Sequence, residues 1–229
     1  MTLHYIGHPF SSYTWKGEIA LIEKGIDYKF GSVEPDQADP STTPGEGSVG
    51  ALLDRYSPTG KFPLLMDGDK AIFESSIIVE YLDRNYPQAP RLIPDNPDAA
   101  LHVRLMDRMF DLHLMANMQA VVAEFIPFIT EKPDQMRIDR AKAALLKVYE
   151  WFETQLPANG WACGENFTMA DCAGAPALFY ADWVQEIPDH LTKLKAYRAR
   201  TLTRPSVIHC VEAARPFRGY FPLGAPDRD

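Results

Sequence analysis

Phe62-Pro-Leu-Leu-Met66, the turn pair Asp67-Gly68, and Lys70-Ala-Ile-Phe-Glu-Ser-Ser76 form the stretch from which the rest of the chain can be placed. Two short apolar runs flank Asp-Gly, a pair that tolerates the positive φ angles of a tight turn, so a β-hairpin is predicted. Pro63 has no N–H to give to a ladder and must lie at a strand end or edge, where a cis bond is compatible. From Ser75 to Asn85 the spacing predicts a helix, with Ile77, Ile78, Tyr81 and Leu82 on one face and serines at its start.

Upstream, Leu3 and Tyr5 show the period of a strand, and Trp15, Ile19 and Ile22 the period of a helix. Lys24-Gly25 supplies a basic last turn and a C′ glycine. Ile26, Tyr28 and Phe30 alternate again, and a β-α-β order needs a crossover, so the first two strands are expected to be parallel. Glu34 to Asp54 carries Pro35, Pro40, Pro44, Gly45, Gly47 and Gly50, and reads as a long acidic surface loop with at most a short helix after it.

Downstream, four prolines between Pro87 and Pro97 make a stiff connector. Only helical periodicity follows, over roughly 99–123, 135–156, 169–183, 191–201 and 205–214. The expected division is therefore residues 1–86, a proline-rich linker over 87–98, and an all-helical domain over 99–229. The tail Arg215-Pro-Phe-Arg-Gly-Tyr-Phe-Pro222 is expected either to cover a site or to serve as packing.

The chain has 229 residues, 46% hydrophobic and 24% charged, which suits a globular protein able to bury its own core. Its most apolar stretch, Ala116 to Ile129, is broken by Gln119, Glu124 and Pro127 and is shorter than the roughly 20 residues of a membrane span. Nothing at Met1 to Phe10 has the layout of a secretory signal. Twenty-three Lys and Arg against 31 Asp and Glu give a net charge of −8, which opposes binding to nucleic acid or anionic membranes. Cys163, Cys172 and Cys210 form no CxxC pair and are odd in number, so a reducing cytoplasm is expected rather than a disulfide framework.

Chemistry is expected first at Glu74-Ser75-Ser76, where a strand enters a helix. Glu74 offers a carboxylate to an ammonium group, while the serine hydroxyls, the first helical N–H groups and the positive end of the dipole suit a carboxylate. Together they fit an α-amino acid zwitterion, although the same three residues also fit plain helix capping. The main chain of Phe62 would pair with an extended peptide-like ligand if a strand edge beside Pro63 is open, and Lys61 would reach a second carboxylate. His102 and His113 lie nearly on one helix face, but without a third ligand no metal site is expected.

In three stretches the chain resembles the cytosolic glutathione S-transferase family, in serine-type, bacterial-like form: Ser57-Pro-Thr-Gly-Lys-Phe-Pro-Leu-Leu65, Phe73-Glu-Ser-Ser-Ile-Ile-Val-Glu-Tyr-Leu82 and Phe167-Thr-Met-Ala-Asp171. The resemblance implies an α/β thioredoxin-like N-terminal domain with a cis-proline plus an all-α C-terminal domain, and a cytoplasmic homodimer. By that likeness Glu74 and Ser75 hold the γ-glutamyl end of glutathione, Phe62 and Pro63 meet its cysteinyl unit, and Lys61 lies near its glycyl carboxylate. Counting back from Lys24-Gly25-Ile26 puts Ser11 at the catalytic hydroxyl, with Ser12 and Tyr13 as rivals in His8-Pro-Phe-Ser-Ser-Tyr13. A hydroxyl there would donate to the glutathione sulfur and favour thiolate over a thiol whose pKa starts near ~8.5.

The loop holds no cysteine, which disfavours dithiol exchange. The resemblance further implies an acceptor pocket drawn from Phe10, Phe110, His113, Leu114 and Met118, although a methionine stripe at helical spacing, here Met106, Met109, Met115 and Met118, is more often plain core. Thr168 and Asp171 have the spacing of a structural capping box. The expected function is transfer of the glutathione thiolate, glutathione being a co-substrate with no metal, to an electrophilic, apolar small molecule. The alternatives are a non-catalytic binding or scaffold protein and a glutathione-dependent dehalogenase, isomerase or peroxidase on the same fold.

Overall fold

A computed structural model describes residues 2–34 and 48–228. It divides into two compact units, Met1–Ile93 and Pro94–Asp229.

In the first unit, β1 (Leu3–Gly7) leads into α1 (Ser12–Glu23), β2 (Tyr28–Ser32), α2 (Val49–Tyr56), β3 (Leu64–Asp67), β4 (Lys70–Phe73) and α3 (Ser75–Asn85). The strand order is β2-β1-β3-β4, with β1 and β2 parallel and the other pairs antiparallel. The parallel pair and the hairpin follow the sequence reading, and Gly68 has the positive φ, 57°, that the Asp-Gly turn needs. Gly25, at φ 61°, ends α1 as a C′ glycine, with Gly25 N–H donating to Ile22 O and Ile26 N–H to Leu21 O.

Close packing of α1 on the sheet rests on Gly17. A Cβ there would run into the Tyr5 hydroxyl, which donates to Thr14 O at 2.6 Å. On the other face Ile6, Val49, Leu53, Leu64 and Met66 form a buried cluster. Val49 and Leu53 belong to α2, so the expectation of loop as far as Asp54 is corrected over residues 49–54: one helical turn places two apolar residues on the sheet. The earlier part of that acidic stretch, residues 35–47, lies outside the described residues.

The division into units falls inside the proline-rich stretch, for a reason found in Asp83. Its buried carboxylate pairs with Lys24 Nζ at 2.8 Å and accepts the N–H groups of Leu92 (3.0 Å) and Ile93 (2.8 Å). Lys24 Nζ also donates to Pro90 O at 2.8 Å. The first half of the connector is thereby tied to α1 and α3 rather than free to swing.

The second unit is helical: α4 (Pro97–Arg108), a π-helical segment (Met109–Met115), α5 (Ala116–Ala123), α6 (Gln135–Gln155), α7 (Met169–Val184), α8 (Thr192–Leu202), α9 (Pro205–Ala214) and a 3-10 turn (Arg215–Tyr220). Periodicity alone reads α4 to α5 as one helix, and the π segment is a departure from it. The axis of this unit is α7, every residue of which is buried. It opens on a capping box of Thr168 and Asp171, with the Asp171 carboxylate accepting from Thr168 N–H (2.8 Å), Ala162 N–H (2.7 Å) and the Tyr197 hydroxyl (2.7 Å). The C-terminal tail packs on the same helix, Phe221 standing edge-on to Trp183 with ring centroids 5.1 Å apart and Arg228 donating to Asp182 O at 2.9 Å. No helix among the described residues is long and apolar enough to cross a membrane.

Candidate functional site

The sheet register gathers the sequence motifs. Gly31 pairs with Ile6, Ile6 with Leu64 and Leu64 with Phe73, so these four residues form one row across the sheet. Strand direction then decides what lies beyond the row. β1 leaves it toward His8–Ser11, β3 enters it from Lys61–Pro63, β4 leaves it toward Glu74–Ser76 and β2 leaves it toward Glu34. Motifs far apart in sequence therefore share one end of one sheet.

At the first corner the chain turns from β1 into α1. Ser11 is the N-cap of that helix, with φ −92° and ψ 122°, and its Oγ accepts the N–H of Thr14 at 3.3 Å. A hydroxyl that accepts at a lone pair keeps its own proton to donate, so the cap leaves Ser11 able to hydrogen-bond an anion. Ser12 is buried in the first turn and Tyr13 is half-buried beside it. The loop before Ser11 is tied to His8: Ser11 N–H donates to His8 O at 2.9 Å and Phe10 N–H to His8 Nδ1 at 2.9 Å, while His8 Nε2 lies 3.2 Å from Glu34 Oε2. The Trp15 indole donates to Pro9 O at 2.6 Å and pins the same loop from below.

At the second corner Ser57 closes a turn on Lys61. Its buried hydroxyl donates to Lys61 O (2.8 Å) and accepts Lys61 N–H (3.0 Å). The Phe62-Pro63 peptide bond is cis, and Pro63 is buried ahead of β3. The expectation of an open strand edge is corrected here, since β3 lies between β1 and β4. What remains for a ligand is the main chain of Phe62, ahead of the strand, which makes no hydrogen bond among the described residues. Lys61 is exposed beside it.

At the third corner Glu74 holds the N-cap position of α3 with φ 68° and ψ 116°, the one described residue other than glycine at positive φ. Such a backbone costs on the order of 1–3 kcal/mol and concentrates at functional positions. Its carboxylate is exposed, whereas Ser75 and Ser76 are buried, and α3 has no side-chain cap on its first N–H groups. Lys16 Nζ, itself buried, donates to Ser76 Oγ at 2.7 Å. A negative side chain, first-turn amides without a side-chain cap and a buried lysine thus meet at one helix start, a setting for a group that carries both an ammonium and a carboxylate.

The residues expected at an acceptor wall divide differently. Phe110 is fully buried, its ring stacked on Phe152 at 4.2 Å and near Tyr197 at 6.2 Å. It belongs to the interior of the helical unit rather than to a pocket wall, because the π segment turns it between α6 and α8. Leu114 and Met118 are also buried, His113 is exposed, and Phe10, in the first unit, is half-buried. The cysteines all lie in the helical unit and no disulfide joins them. Burial, and then the charge of Asp171, push the Cys163 thiol up to about 12 against the pull of its hydrogen bond to Thr168. Among the described residues no cluster of three side chains is placed to hold a metal ion.

Sequence reasoning passed over His8, Ser57 and Lys16. His8 and Ser57 stand inside quoted motifs, and their signal is a side-chain acceptor a few residues ahead of an N–H group. Lys16 gives no such signal, since its partner is sixty residues away.

Comparison with known proteins matches residues 6–90 to the family model for the glutathione S-transferase N-terminal domain and residues 109–205 to that for the C-terminal domain. Glutathione S-transferase 3 of Zea mays is 30% identical over 182 residues, covering 77% of this chain and 78% of that protein. A stringent starvation protein A homolog of Haemophilus influenzae is also 30% identical, over 206 residues, 89% of this chain and 87% of the other. Among solved structures, a glutathione S-transferase of Methylobacillus flagellatus with glutathione bound superposes with a TM-score of 0.75 at 24% identity, covering 91% of this chain and 98% of that one.

Proposed function

The chain belongs to the glutathione S-transferase family, and from that premise we propose that it transfers the thiolate of glutathione to an electrophilic, apolar small molecule. The observation that carries this reading is the Gly31–Ile6–Leu64–Phe73 row, beyond which three corners with complementary chemistry come together. In this reading Glu74 takes the α-ammonium and the Ser75 end of α3 the α-carboxylate of the γ-glutamyl unit. The Phe62 main chain, ahead of the cis peptide to Pro63, pairs with the cysteinyl unit, and Lys61 approaches the glycyl carboxylate. The sulfur is thereby delivered to the Ser11 hydroxyl. A hydrogen bond from Ser11 is stronger to a thiolate than to a thiol, so it lowers the pKa of the sulfur and raises the fraction of nucleophile at neutral pH. With the thiolate held and the acceptor aligned, the gain is electrostatic stabilisation and proximity.

A cytoplasmic homodimer completes the proposal. Leu101, Leu105 and Leu112 are each at least half exposed, at 68%, 50% and 56%, and a second copy would cover them.

A second reading is a glutathione-binding protein without turnover, favoured by an equal identity, 30%, to a relative that is not named as a transferase. One experiment separates the two: calorimetric titration with glutathione, the ultraviolet thiolate band of the bound ligand, then an acceptor panel of alkyl and aryl halides, epoxides, isomerisable double bonds and hydroperoxides. Binding with a thiolate band and conjugate formation supports the transferase. Binding without thiolate selects the second reading, and no binding rejects both. The acceptor that reacts distinguishes conjugation from dehalogenation, isomerisation and peroxide reduction.

A further inference from the structure

We propose that His8 is a positioning residue for the reaction, its Nδ1 serving as the acceptor that sets the loop from which Ser11 reaches the sulfur. The inference rests on the reading of Ser11 as the thiolate-stabilising hydroxyl.

The tautomer of His8 follows from its partners. A main-chain N–H can only donate, so Nδ1, which faces Phe10 N–H at 2.9 Å, carries no proton. In the neutral ring the proton is then on Nε2, where it donates to Glu34 Oε2 at 3.2 Å. The two ends of the ring are thus assigned by different neighbours, and the ring plane is fixed between them.

The sequence explains why a ring is suited to this place. Pro9 has no N–H, so after His8 the first main-chain donors are those of Phe10 and Ser11. The ring takes the first and the His8 carbonyl takes the second, at 2.9 Å each. A side-chain acceptor at one residue bonded to the N–H two residues later is the arrangement that Asn or Asp makes in an Asx-turn. Here Nδ1, two bonds beyond Cβ, has the reach of an Asn Oδ1. One bond ends on Phe10, which leads into Ser11, and the other on Ser11 itself, whose Oγ in turn accepts Thr14 N–H. Loss of the Nδ1 acceptor removes the bond that ties Phe10 N–H to the His8 ring and loosens the turn, which shifts the hydroxyl against a sulfur held independently by the other two corners.

The test is the pH titration of the thiolate band of glutathione bound to the full chain, with calorimetry for affinity and melting for fold. His8→Ala, which removes the acceptor, and His8→Gln, which moves it one bond too far, are expected to raise the apparent pKa of the bound thiol by about one unit, about tenfold less thiolate below that pKa, with the affinity for glutathione measured at a pH below that pKa unchanged. His8→Asn, which restores an acceptor at the same reach but gives up the ring, is expected to titrate as wild type. Where His8→Ala fails to fold, the pair of amide variants carries the same comparison. A wild-type thiol pKa in both His8→Ala and His8→Gln overturns the proposal, and so does an impaired His8→Asn, which would put the role in the ring or its Glu34 contact. Ser11→Ala is run beside them: if it leaves the thiol pKa unmoved, the reading of Ser11 fails and the positioning route with it. If it moves and the His8 variants do not, only the inference about His8 fails.

Discussion

Lys16 Nζ donates to Ser76 Oγ at 2.7 Å, and this contact bolts α1, which Ser11 caps, to the start of α3, which carries Ser75. Lys16 is 0% exposed. A buried ammonium costs several kcal/mol unless it is hydrogen-bonded, whereas an apolar residue of similar volume often replaces a buried charge without loss. A hydroxyl left without its lysine can turn to a main-chain carbonyl. Removal of the hydroxyl instead takes the Ser76 Oγ acceptor away from a buried ammonium, at a cost of about 1–3 kcal/mol. Ser76→Ala is therefore expected to lower the urea midpoint more than Lys16→Met does. The reverse order would show that Lys16 stabilises by its charge and not merely at the sufferance of Ser76.

Glu74 separates strain from binding. At φ 68° a Cβ is unfavourable, so Glu74→Gly relieves backbone strain on the order of 1–3 kcal/mol and gives back about 0.5–1 kcal/mol in unfolded-state entropy. The melting temperature without ligand is expected to hold or rise. Glutathione should nevertheless raise it much less than in wild type, because the carboxylate that meets the ammonium is gone. Glu74→Gln keeps the strain and loses the charge, so it should show a weakened ligand effect on an unchanged baseline. Equal ligand-induced shifts in all three proteins would remove Glu74 from the site.

Tyr81 gives a pH dependence with a definite sign. Its hydroxyl donates to Asp67 Oδ2 at 2.7 Å, and partial burial, then that hydrogen bond and the Asp67 charge, push its pKa from 10.0 up to about 12. The folded chain thus keeps a proton that the unfolded chain releases. Stability from this group is whole below pH 10 and is lost as pH rises toward 12. Tyr81→Phe abolishes that titration, so over this window its urea midpoint should fall less steeply than that of wild type. Other tyrosines are common to both proteins and cancel, except Tyr86, whose charge also raises Tyr81 and adds to the same difference. Parallel pH curves would mean that the Asp67 contact does not hold the proton.

Local chemistry made much of this fold legible in the sequence. Asp67-Gly68 and Lys24-Gly25 mark chain reversals whose positive φ only a few residues tolerate, and the capping box of Thr168 and Asp171 opens α7 where the spacing puts it. What stayed hidden is non-local. Phe110 gives the same apolar signal whether it lines a pocket or fills a core, and its stacking on Phe152 depends on a π segment that shifts the helical phase by less than a residue type can signal. The strain at Glu74 is imposed by the turn from β4 into α3, not chosen by glutamate. The row through Ile6, Leu64 and Phe73 depends on a register between strands that are distant in sequence. Local pattern showed the motifs one by one, and only the family resemblance implied that they meet.

Ser11 carries two duties, and two substitutions separate them. As N-cap it accepts Thr14 N–H, so Ser11→Ala should cost about 1 kcal/mol of stability and Ser11→Gly only a few tenths. As donor to the sulfur it has no substitute in either variant. Both should lose about 1.5–3 kcal/mol of charge-assisted hydrogen bonding, a fall in turnover on the order of 10- to 150-fold at neutral pH. The loss should shrink as pH rises and solvent deprotonates the thiol unaided, while glutathione affinity measured below the thiol pKa changes little. Ser12→Ala should act on helix stability alone, since Ser12 is buried in the first turn. Tyr13→Phe should be nearly silent. Turnover that follows melting temperature, high in Ser11→Gly and low in Ser11→Ala, would make Ser11 a cap only; a shifted pH–rate profile in Tyr13→Phe with none in Ser11→Gly would transfer the chemistry to the tyrosine.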